Sequence, residues 1–401
     1  MERLKKLILV CLCAMSFTFI APDIERVESM KTYRITPRTE PIDSVLRKYS
    51  TYNEKTKNYY TLRSYLEKIE AEGGGTLVLA KGTYLSPIRV GVPSNTTIRL
   101  EDGAVIKKTF DTGTTKIAAT TSVFDLVPPS VLRLKTTVGK YNGSHHVTIE
   151  GQGNAQIDLS HLARGAAFAI AHNANLYIGG LTIRNQNGSH AIELDATNHA
   201  VIENMAFINA TMIKNTGPNE SINLDTPDPV TQGFRWKWSA QDRTPNQNIV
   251  IRNNTFKNIN VAVGTHQYSQ DRPHQNIRIE YNTIDGTKDH AISMMNWEKP
   301  IVQMNTIRNV HRADGKAIAI LGRGVIGGII KGNKIENTDR AIQMQPHQSN
   351  GFKPIYNRFT DAEKLNFRKN KIKQVNVGQV VLYSKLNDFS VETSERFNFV
   401  P

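Results

Sequence analysis

The chain has 401 residues, of which 39% are hydrophobic, so it can bury a large core as one long domain or as a repeat array. Its formal net charge of +14 at pH 7 would draw it to anionic polymers such as acidic polysaccharide, wall teichoic acid or nucleic acid, or would serve solubility alone. The basic residues are spread along the chain, without the dense Lys/Arg block or the aromatic RNA-binding signature of nucleic-acid-binding proteins. We therefore do not expect nucleic acid as a partner.

The N-terminus has the layout of a secretory signal peptide. Three basic residues precede the largely apolar run Leu7–Ala21, which is short for a membrane span. We predict that residues 1–29 are removed after Ser29 and that the protein is secreted or held at the cell surface without stable membrane insertion. An uncleaved anchor is the alternative. Cys11 and Cys13 both lie in the apolar run, which excludes disulfides and thiolate catalysis in the mature chain.

Residues 30–75 are predicted to be a polar lead-in followed by a capping helix. Within Thr61–Glu72 the apolar residues have helical spacing, and glycines 73–75 follow as a stop signal. Such a helix could cover the open end of a solenoid. Residues 76–401 are predicted to be the repetitive domain itself.

A six-residue phrase returns six times between His190 and Gln345. The six copies are HAIELD at 190, ESINLD at 220, VAVGTH at 261, HAISMM at 290, KAIAIL at 316 and RAIQMQ at 340. Each keeps a small residue second and Ile or Val third. This alternation is typical of a strand with one buried face, and a repeat of about 24 residues with insertions is typical of a stacked solenoid.

Polar residues gather on the outward face of three successive copies. If the third and fifth places of each phrase point inward, then the fourth and sixth point outward. Those outward places hold Glu193, Asn223, Asp195, Asp225 and His266. The three copies are therefore predicted to share one polar site.

A second column of residues is assigned to architecture. Asn recurs before a Thr or Lys in the later coils, and stacked Asn side chains can hydrogen-bond from coil to coil. The column consists of Asn254, Asn282, Asn305, Asn333 and Asn370, with Met205 at the preceding place.

The early coils carry a resemblance to a known group of proteins. The runs Gly73–Ile106 and His145–Asp158 resemble the opening coils of right-handed parallel β-helix carbohydrate-active enzymes, the pectin-lyase-like superfamily, and are nearest to polygalacturonase-type glycoside hydrolases. The resemblance implies a right-handed parallel β-helix. Together with the capping helix predicted from Thr61–Glu72, the expected fold class is all-β, a right-handed parallel β-helix with an N-terminal capping helix.

The catalytic motifs of that group match in part. Asn223-Leu224-Asp225 resembles the Asn-x-Asp motif of the first catalytic coil. The next coil offers Gly264-Thr265-His266 where that family has an Asp pair. The following phrases offer Ser293-Met294-Met295 and Ala319-Ile320-Leu321 in place of its later Gly-His-Gly and Arg-x-Lys motifs. Pectin as the substrate is therefore not implied.

The polar site suggests acid–base hydrolysis of a glycosidic bond. With stacked strands roughly 4.8 Å apart, Asp195 and Asp225 would be neighbours, and like-charge repulsion would leave a proton on one of them. Glu193 and Asp225 would lie roughly 8 Å apart, which leaves room for a water in an inverting glycosidase. We predict Asp225 as the general acid, Glu193 or Asp195 as the group that activates water, and His266 as the residue that tunes the acid. No metal and no cofactor are predicted.

Two insertions flank the second copy of the phrase, at Thr211–Asn219 and Pro227–Asn248, where loops beside a rigid scaffold often bind ligands. Aromatic faces can stack on sugars, and basic neighbours suit carboxylated or sulfated sugars. The predicted partner is thus a polysaccharide, with an acidic one as a candidate. The residues predicted to contact it are Asn223, Trp236, Trp238, Tyr268, Arg272, His274 and Trp297.

Two rival hypotheses remain open. A polysaccharide lyase or epimerase would bind Ca²⁺ through the oxygens of Glu193, Asp195, Asn223 and Asp225, and would use His266, Tyr268, Arg272 or His274 as the base. A non-catalytic β-helix would bind a glycan through the same face without cleaving it.

Overall fold

The computed structural model describes residues 30–397 except 215, 216 and 218. The predicted signal peptide, with Cys11 and Cys13, lies outside the described residues. The chain divides into two units, Met1–Met30 and Lys31–Pro401, and the described residues after Met30 belong to the second. Within this described part, no helix is both long enough and apolar enough to cross a membrane.

The strands stack in three parallel ladders, so each full coil of the chain contributes one strand to each ladder. Ladder 1 comprises Thr32–Ile35, Gly75–Leu79, Thr96–Leu100, His145–Gly151, Ala174–Gly179, Asn198–Glu203, Gln247–Arg252, Arg278–Glu280, Ile301–Gln303 and Ile329–Lys331, with the short strands His274–Gln275 and Trp297–Glu298 beside it. Ladder 2 comprises Gly82–Ser86, Ala104–Lys108, Gln156–Asp158, Thr182–Arg184, Ala206–Ile208, Thr255–Ile259, Thr283–Thr287 and Thr306–Val310.

Ladder 3 contains the six-residue phrases of the sequence. It comprises Val90–Gly91, Ser122–Asp125, Ala166–Ala171, Ile192–Asp195, Glu220–Asn223, Val261–Gly264, Ile292–Met295 and Ile318–Arg323. Two long strands, Lys334–Gln345 and Lys371–Tyr383, close both ladder 2 and ladder 3, and Ser394–Phe397 pairs antiparallel with the second of them.

The alternation predicted from the repeat sets the core. On ladder 3, Ile192 pairs with Ile222 and Ile222 with Val263, and all three side chains are buried in one apolar core that runs through the coils. The predicted fold class, a right-handed parallel β-helix with an N-terminal capping helix, is confirmed.

Among the described residues, three α-helices lie outside the ladders. They are α1 at Lys57–Ala71, α2 at Pro129–Leu134 and α3 at Asp361–Phe367, and a 3-10 helix occupies Ser44–Lys48. The predicted capping helix corresponds to α1, which begins before the predicted Thr61 and buries its apolar face against the first coil. It ends at Ala71 and is followed by Gly73 and Gly74, whose φ angles of +76° and +145° suit glycine.

Two segments in which the sequence shows no clear repeat also contribute strands to the coils. Thr32–Ile35, in the segment predicted as a lead-in, pairs with Gly75–Leu79 and starts ladder 1. The segment 107–143, which the sequence suggests is an insertion, contains the ladder 3 strand Ser122–Asp125 as well as α2. The repeat therefore runs through a region where its phrase is not recognisable.

The predicted asparagine column is confirmed as a buried stack at the turn from ladder 1 to ladder 2. The side-chain Nδ2 of Asn282 donates to Asn305 Oδ1 at 3.0 Å and to the carbonyl oxygen of Ile251 at 2.9 Å. Its own Oδ1 accepts from the backbone N–H and the side chain of Asn254. Met205 donates its backbone N–H to Asn254 Oδ1, so the stack starts where the sequence predicts.

Candidate functional site

The floor of the candidate site is built by three neighbouring strands of ladder 3. Glu193 pairs with Asn223, and Asn223 with Gly264, as the aligned phrases predict. One coil earlier, Ala169 pairs with Glu193, so the polar cluster begins at Glu193. Because the third residues of the phrases are held in the core, the fourth residues face away from it.

A cleft of about 840 Å³ opens above these strands. Its acidic and histidine lining residues are His190, Glu193, Glu220 and His266. Its basic lining residues are Arg89, Arg164, Arg235 and Lys237. The loop after the second copy of the phrase supplies one wall, which includes Trp236. The cleft thus combines an acidic floor with a basic, partly aromatic rim.

Glu193 lies in the floor and is 5% exposed. Its Oε1 accepts a hydrogen bond from Asn223 Nδ2 at 3.0 Å, and its Oε2 lies 3.7 Å from His190 Nε2. Burial raises the pKa of Glu193 to about 7, against the opposing influence of His266. A carboxyl group with this pKa can hold a proton near neutral pH and release it to a ligand.

Glu220 has the opposite preference. Its Oε2 lies 3.5 Å from Nδ1 of His190 and 3.5 Å from Nδ1 of His266. Burial would raise its pKa, but the charge and hydrogen bond of His266 outweigh burial, and the pKa of Glu220 falls to about 2. The floor therefore holds one carboxyl group that favours its proton beside one that stays ionised.

His266 lies between these groups and solvent, with 41% of its side chain exposed. Burial lowers its pKa, but Asp225 and Glu220 outweigh this and raise the pKa to about 10. The His190 and His266 rings stack with their centroids 5.2 Å apart. In contrast, burial lowers the pKa of His190, so the two stacked rings prefer different charges.

Asp195 and Asp225, which the sequence predicts to be catalytic, lie beneath the floor with no exposure. Asp195 Oδ1 accepts the backbone N–H of Asp225 at 2.8 Å. Asp225 Oδ1 accepts the backbone N–H groups of His266 and Gln267, both at 2.9 Å. Burial raises the pKa of Asp225 to about 6 and that of Asp195 well above its usual range. These aspartates hold the next coil in place and do not line the cleft.

The residues predicted to bind a polysaccharide also divide into those that line the cleft and those that are buried away from it. Trp236 lines the cleft and stacks on Phe234, with ring centroids 4.4 Å apart. Trp238 is buried, and its Nε1 donates to Asp125 Oδ2 at 2.9 Å, so it anchors the loop. Asn223 is buried and positions Glu193.

Four other predicted binding residues do not line the cleft. Trp297 is part of the core, and its Nε1 donates to Thr265 Oγ1 at 2.8 Å. Tyr268 and His274 are fully buried, while Arg272 is exposed elsewhere on the surface. The prediction that these residues form a binding wall is therefore corrected, since burial or position removes them from the cleft.

The sequence prediction missed His190 and Glu220. Both occupy the first place of a phrase, where strict alternation would point them into the core. The first place holds an ionisable residue in five of the six copies, and burial of such groups in an apolar core is costly. The first place was therefore the available signal that these residues do not point into the core.

The alignment of the fifth phrase is also corrected. Ile292 pairs with Ile320, and Ser293 with Leu321, so the fifth strand is shifted by two residues from the predicted alignment. Arg323 then takes the sixth place, opposite Met295, and donates to Ser293 Oγ at 2.8 Å. The alternating sequence Ala317–Leu321 fits both alignments equally well, which is why the repeat alone did not distinguish them.

One group of described side chains could hold a metal ion. Ligand atoms of His190, Glu220 and His266 lie within 4.8 Å of one another. The carboxylates suggested for Ca²⁺, Glu193, Asp195 and Asp225, are not among the described side chains whose ligand atoms converge in this way, and one oxygen of each aspartate accepts a backbone N–H group.

No protein-family model matches the chain. Plasmin and fibronectin-binding protein A of Streptococcus pneumoniae (strain ATCC BAA-255 / R6) is 24% identical over 227 residues, which are 53% of this chain and 31% of that protein. The chain thus spans about a third of the curated relative that it matches.

Two solved structures show the same fold at low sequence identity. PfbA, a surface adhesin of Streptococcus pneumoniae, superposes with a TM-score of 0.59 and 17% identity, covering 89% of this chain and 80% of that one. A tailspike protein mutant of E. coli bacteriophage HK620, in complex with a hexasaccharide, gives a TM-score of 0.50 and 13% identity, covering 89% and 66%. These similarities support the parallel β-helix, and the resemblance to pectin-lyase-like enzymes stays a prediction.

Proposed function

We infer that this protein is an extracellular or cell-surface enzyme that hydrolyses a glycosidic bond in the cleft above ladder 3. The observation that carries the proposal is the arrangement of two carboxyl groups of the cleft on either side of one imidazole ring, that of His190. Glu193 and Glu220 approach opposite nitrogens of His190, so a bond lying across that ring would have one carboxyl group on each side. Paired carboxyl groups flanking the scissile bond are the usual equipment of glycosidases.

Glu193 is the proposed general acid. It faces the cleft, and Asn223 fixes one of its oxygens by a hydrogen bond, which leaves the other oxygen to present a proton to the glycosidic oxygen. Its buried setting favours the protonated form. This assignment replaces Asp225, whose oxygens lie beneath the floor and cannot reach a ligand in the cleft.

Glu220 is the proposed partner carboxylate. Two imidazoles flank it, which keeps it ionised and able to accept a proton from a water or to stabilise positive charge developing on the sugar ring. His266 would position that carboxylate and hold it ionised. Asp225, by accepting the backbone N–H of His266, would fix the start of the strand-to-loop turn that presents the ring.

The proposed substrate is an anionic polysaccharide. Four basic side chains line the cleft, and their charge would attract carboxylated or sulfated sugars. Trp236 provides an aromatic face at the wall on which a sugar ring could stack. The hexasaccharide bound by the tailspike protein motivates a glycan as the ligand class, and the adhesin motivates a location at the cell surface.

A screen of anionic and neutral polysaccharides, run both with and without a chelator, tests the proposal. New reducing ends without the ultraviolet absorbance of an unsaturated uronate would indicate hydrolysis. Glu193→Gln and Glu220→Gln are each expected to reduce turnover by about 10²–10⁴-fold. The matched control is Glu203→Gln, because Glu203 pairs with Arg252 on ladder 1, remote from the cleft.

Three outcomes would contradict hydrolysis by these residues. Full activity of Glu193→Gln would remove the assigned acid. Unsaturated products would favour the lyase. Tight binding of a glycan without any product would favour the non-catalytic alternative, which the similarity to an adhesin motivates and in which Glu193→Gln keeps its affinity.

A further inference from the structure

The cleft floor contains three metal-ligating side chains with converging ligand atoms. The geometry points to a site for one divalent transition-metal ion, of which Zn²⁺ is the test case, bound by His190, Glu220 and His266. This inference concerns binding alone and stands whether or not the cleft cleaves a glycan.

The separations between the ligand atoms fit an ion at their centre. Glu220 Oε2 lies 3.5 Å from Nδ1 of His190 and 3.5 Å from Nδ1 of His266. Tetrahedral ligands held at 2.0–2.2 Å from Zn²⁺ are themselves separated by roughly 3.4 Å. The remaining separation is no more than 4.8 Å, which small rotations of the two rings could shorten.

The side-chain contacts of His266 are loose for hydrogen bonds, whereas Nδ1 of His190 lies 3.2 Å from the backbone carbonyl oxygen of Glu220, a contact that metal binding through this nitrogen would replace. Nδ1 of His266 has three oxygens around it, namely Glu220 Oε2 at 3.5 Å, Asp225 Oδ2 at 3.3 Å and Asn223 Oδ1 at 3.3 Å. One N–H can serve a single acceptor well, and good N–H···O bonds are 2.7–3.2 Å long. Asp225 Oδ2 is buried and has no hydrogen-bond partner. The cluster thus offers more acceptors than its protons satisfy, as a cation site does.

The residues around the three ligands include a carboxylate that could orient one histidine, and the cleft gives the ion access from solvent. Nε2 of His190, the nitrogen away from Glu220, lies 3.7 Å from Glu193 Oε2. A carboxylate behind a ligating histidine commonly orients that ring for a metal. His266 is 41% exposed at the cleft, so an ion can reach the ligands without opening the coils.

The ligand types select the class of ion. Two imidazole nitrogens and one carboxylate suit Zn²⁺ and similar transition-metal ions, with water or a ligand oxygen in the open position. Ca²⁺ prefers six to eight oxygen ligands, and this site offers too few. Ca²⁺ is therefore the matched negative probe.

Calorimetric titration of Zn²⁺ into the chelator-treated mature chain, prepared without a polyhistidine tag, tests the site. We expect one ion per chain, and we expect Co²⁺ to give visible absorption bands of a four- or five-coordinate site in the parent protein. His266→Gln and Glu220→Gln should each weaken Zn²⁺ binding by about 10–100-fold or more. His145→Gln is the control, because His145 is exposed on ladder 1.

Absence of Zn²⁺ binding to the parent would overturn the inference, as would binding that is unchanged in both cleft variants. The Co²⁺ spectrum of the parent decides the matter even if a cleft variant fails to fold. If no polysaccharide is ever cleaved, the binding measurement still stands, so failure of this inference and failure of the proposed hydrolysis are distinguishable.

Discussion

The asparagine stack and the cleft floor are both columns of polar side chains on successive coils, yet they differ in how their atoms are paired. In the stack, each shared contact of Asn282 is a hydrogen bond of about 3.0 Å or less. In the floor, Nδ1 of His266 has three acceptors at 3.3–3.5 Å. A saturated column holds coils together, whereas a loosely paired column facing a cleft is available to a ligand.

The largest expected effect concerns the saturated column. Asn282→Ala removes the side-chain bonds of one buried step and leaves partners on both neighbouring coils unpaired, so we expect the free energy of unfolding to fall by ~3–5 kcal/mol. Urea unfolding followed by circular dichroism measures this. Asn366→Ala, in α3 at the surface, is the control and should change stability by less than ~0.5 kcal/mol. Equal effects of the two substitutions would remove the distinction.

The next effect concerns His274, a histidine that is fully buried outside the cleft. Burial lowers the pKa of His274 from 6.5 to about 3. Below pH 6.5 the unfolded chain takes a proton that the folded chain refuses, so this contribution to stability is lost as the pH falls from 6.5 towards 3. We expect ~2–3 kcal/mol to be lost by pH 4.5.

Unfolding measured against pH tests this for the parent and for His274→Gln. The variant should show the shallower decline, and exposed His145→Gln should follow the parent. A pH profile of His274→Gln that matches the parent would show that His274 titrates normally in the folded protein.

A smaller effect on stability is expected from substitution of Glu193, the proposed general acid in the cleft. Glu193 is nearly buried but has a single described hydrogen bond, from Asn223. Glu193→Gln keeps its shape and removes a buried carboxyl group near other acids, so we expect stability to be unchanged or to rise by up to ~1 kcal/mol. Thermal unfolding checks this. A loss of more than ~2 kcal/mol would place Glu193 with the architectural residues.

The smallest effect concerns the basic rim. Arg235→Gln and Lys237→Gln each remove one exposed positive charge from the cleft, and we expect KM for an anionic polysaccharide to rise only a few-fold with kcat unchanged. The difference should shrink as salt is added. Kinetics at two ionic strengths measure it, with exposed Lys371→Gln as the control. A salt-independent change would argue against an electrostatic role.

Much of the fold could be predicted because its determinants repeat. Ile192, Ile222 and Val263 occupy one place of the phrase and pair as aligned. The strand Ser122–Asp125 was not recognised, because the places of its sequence SVFD that align with the small residue and with Ile or Val hold Val123 and Phe124. The alternating Ala317–Leu321 permitted a shift of two residues, since a shift by one period leaves the buried face unchanged.

The site was predicted less fully, because it depends on local departures from the repeat. Glu193 and His266 could be found on the outward face, where alternation places them. Glu220 was missed, because strict alternation points the first place into the core, whereas this strand start opens into the cleft. Trp238 and Trp297 were misassigned because a tryptophan suits a binding wall and a buried anchor equally well, and only their partners, Asp125 and Thr265, distinguish the two.

The loop that walls the cleft has a consequence for the order of folding. Trp238 holds that loop to Asp125, which lies 113 positions earlier in the chain. A chain that emerges from its N-terminus would complete the coil of Asp125 long before Trp238 appears, so the wall docks onto a surface that already exists. Contacts between distant positions form late because closing a long loop costs entropy. The wall of the cleft is therefore expected to form after the coil that supports it.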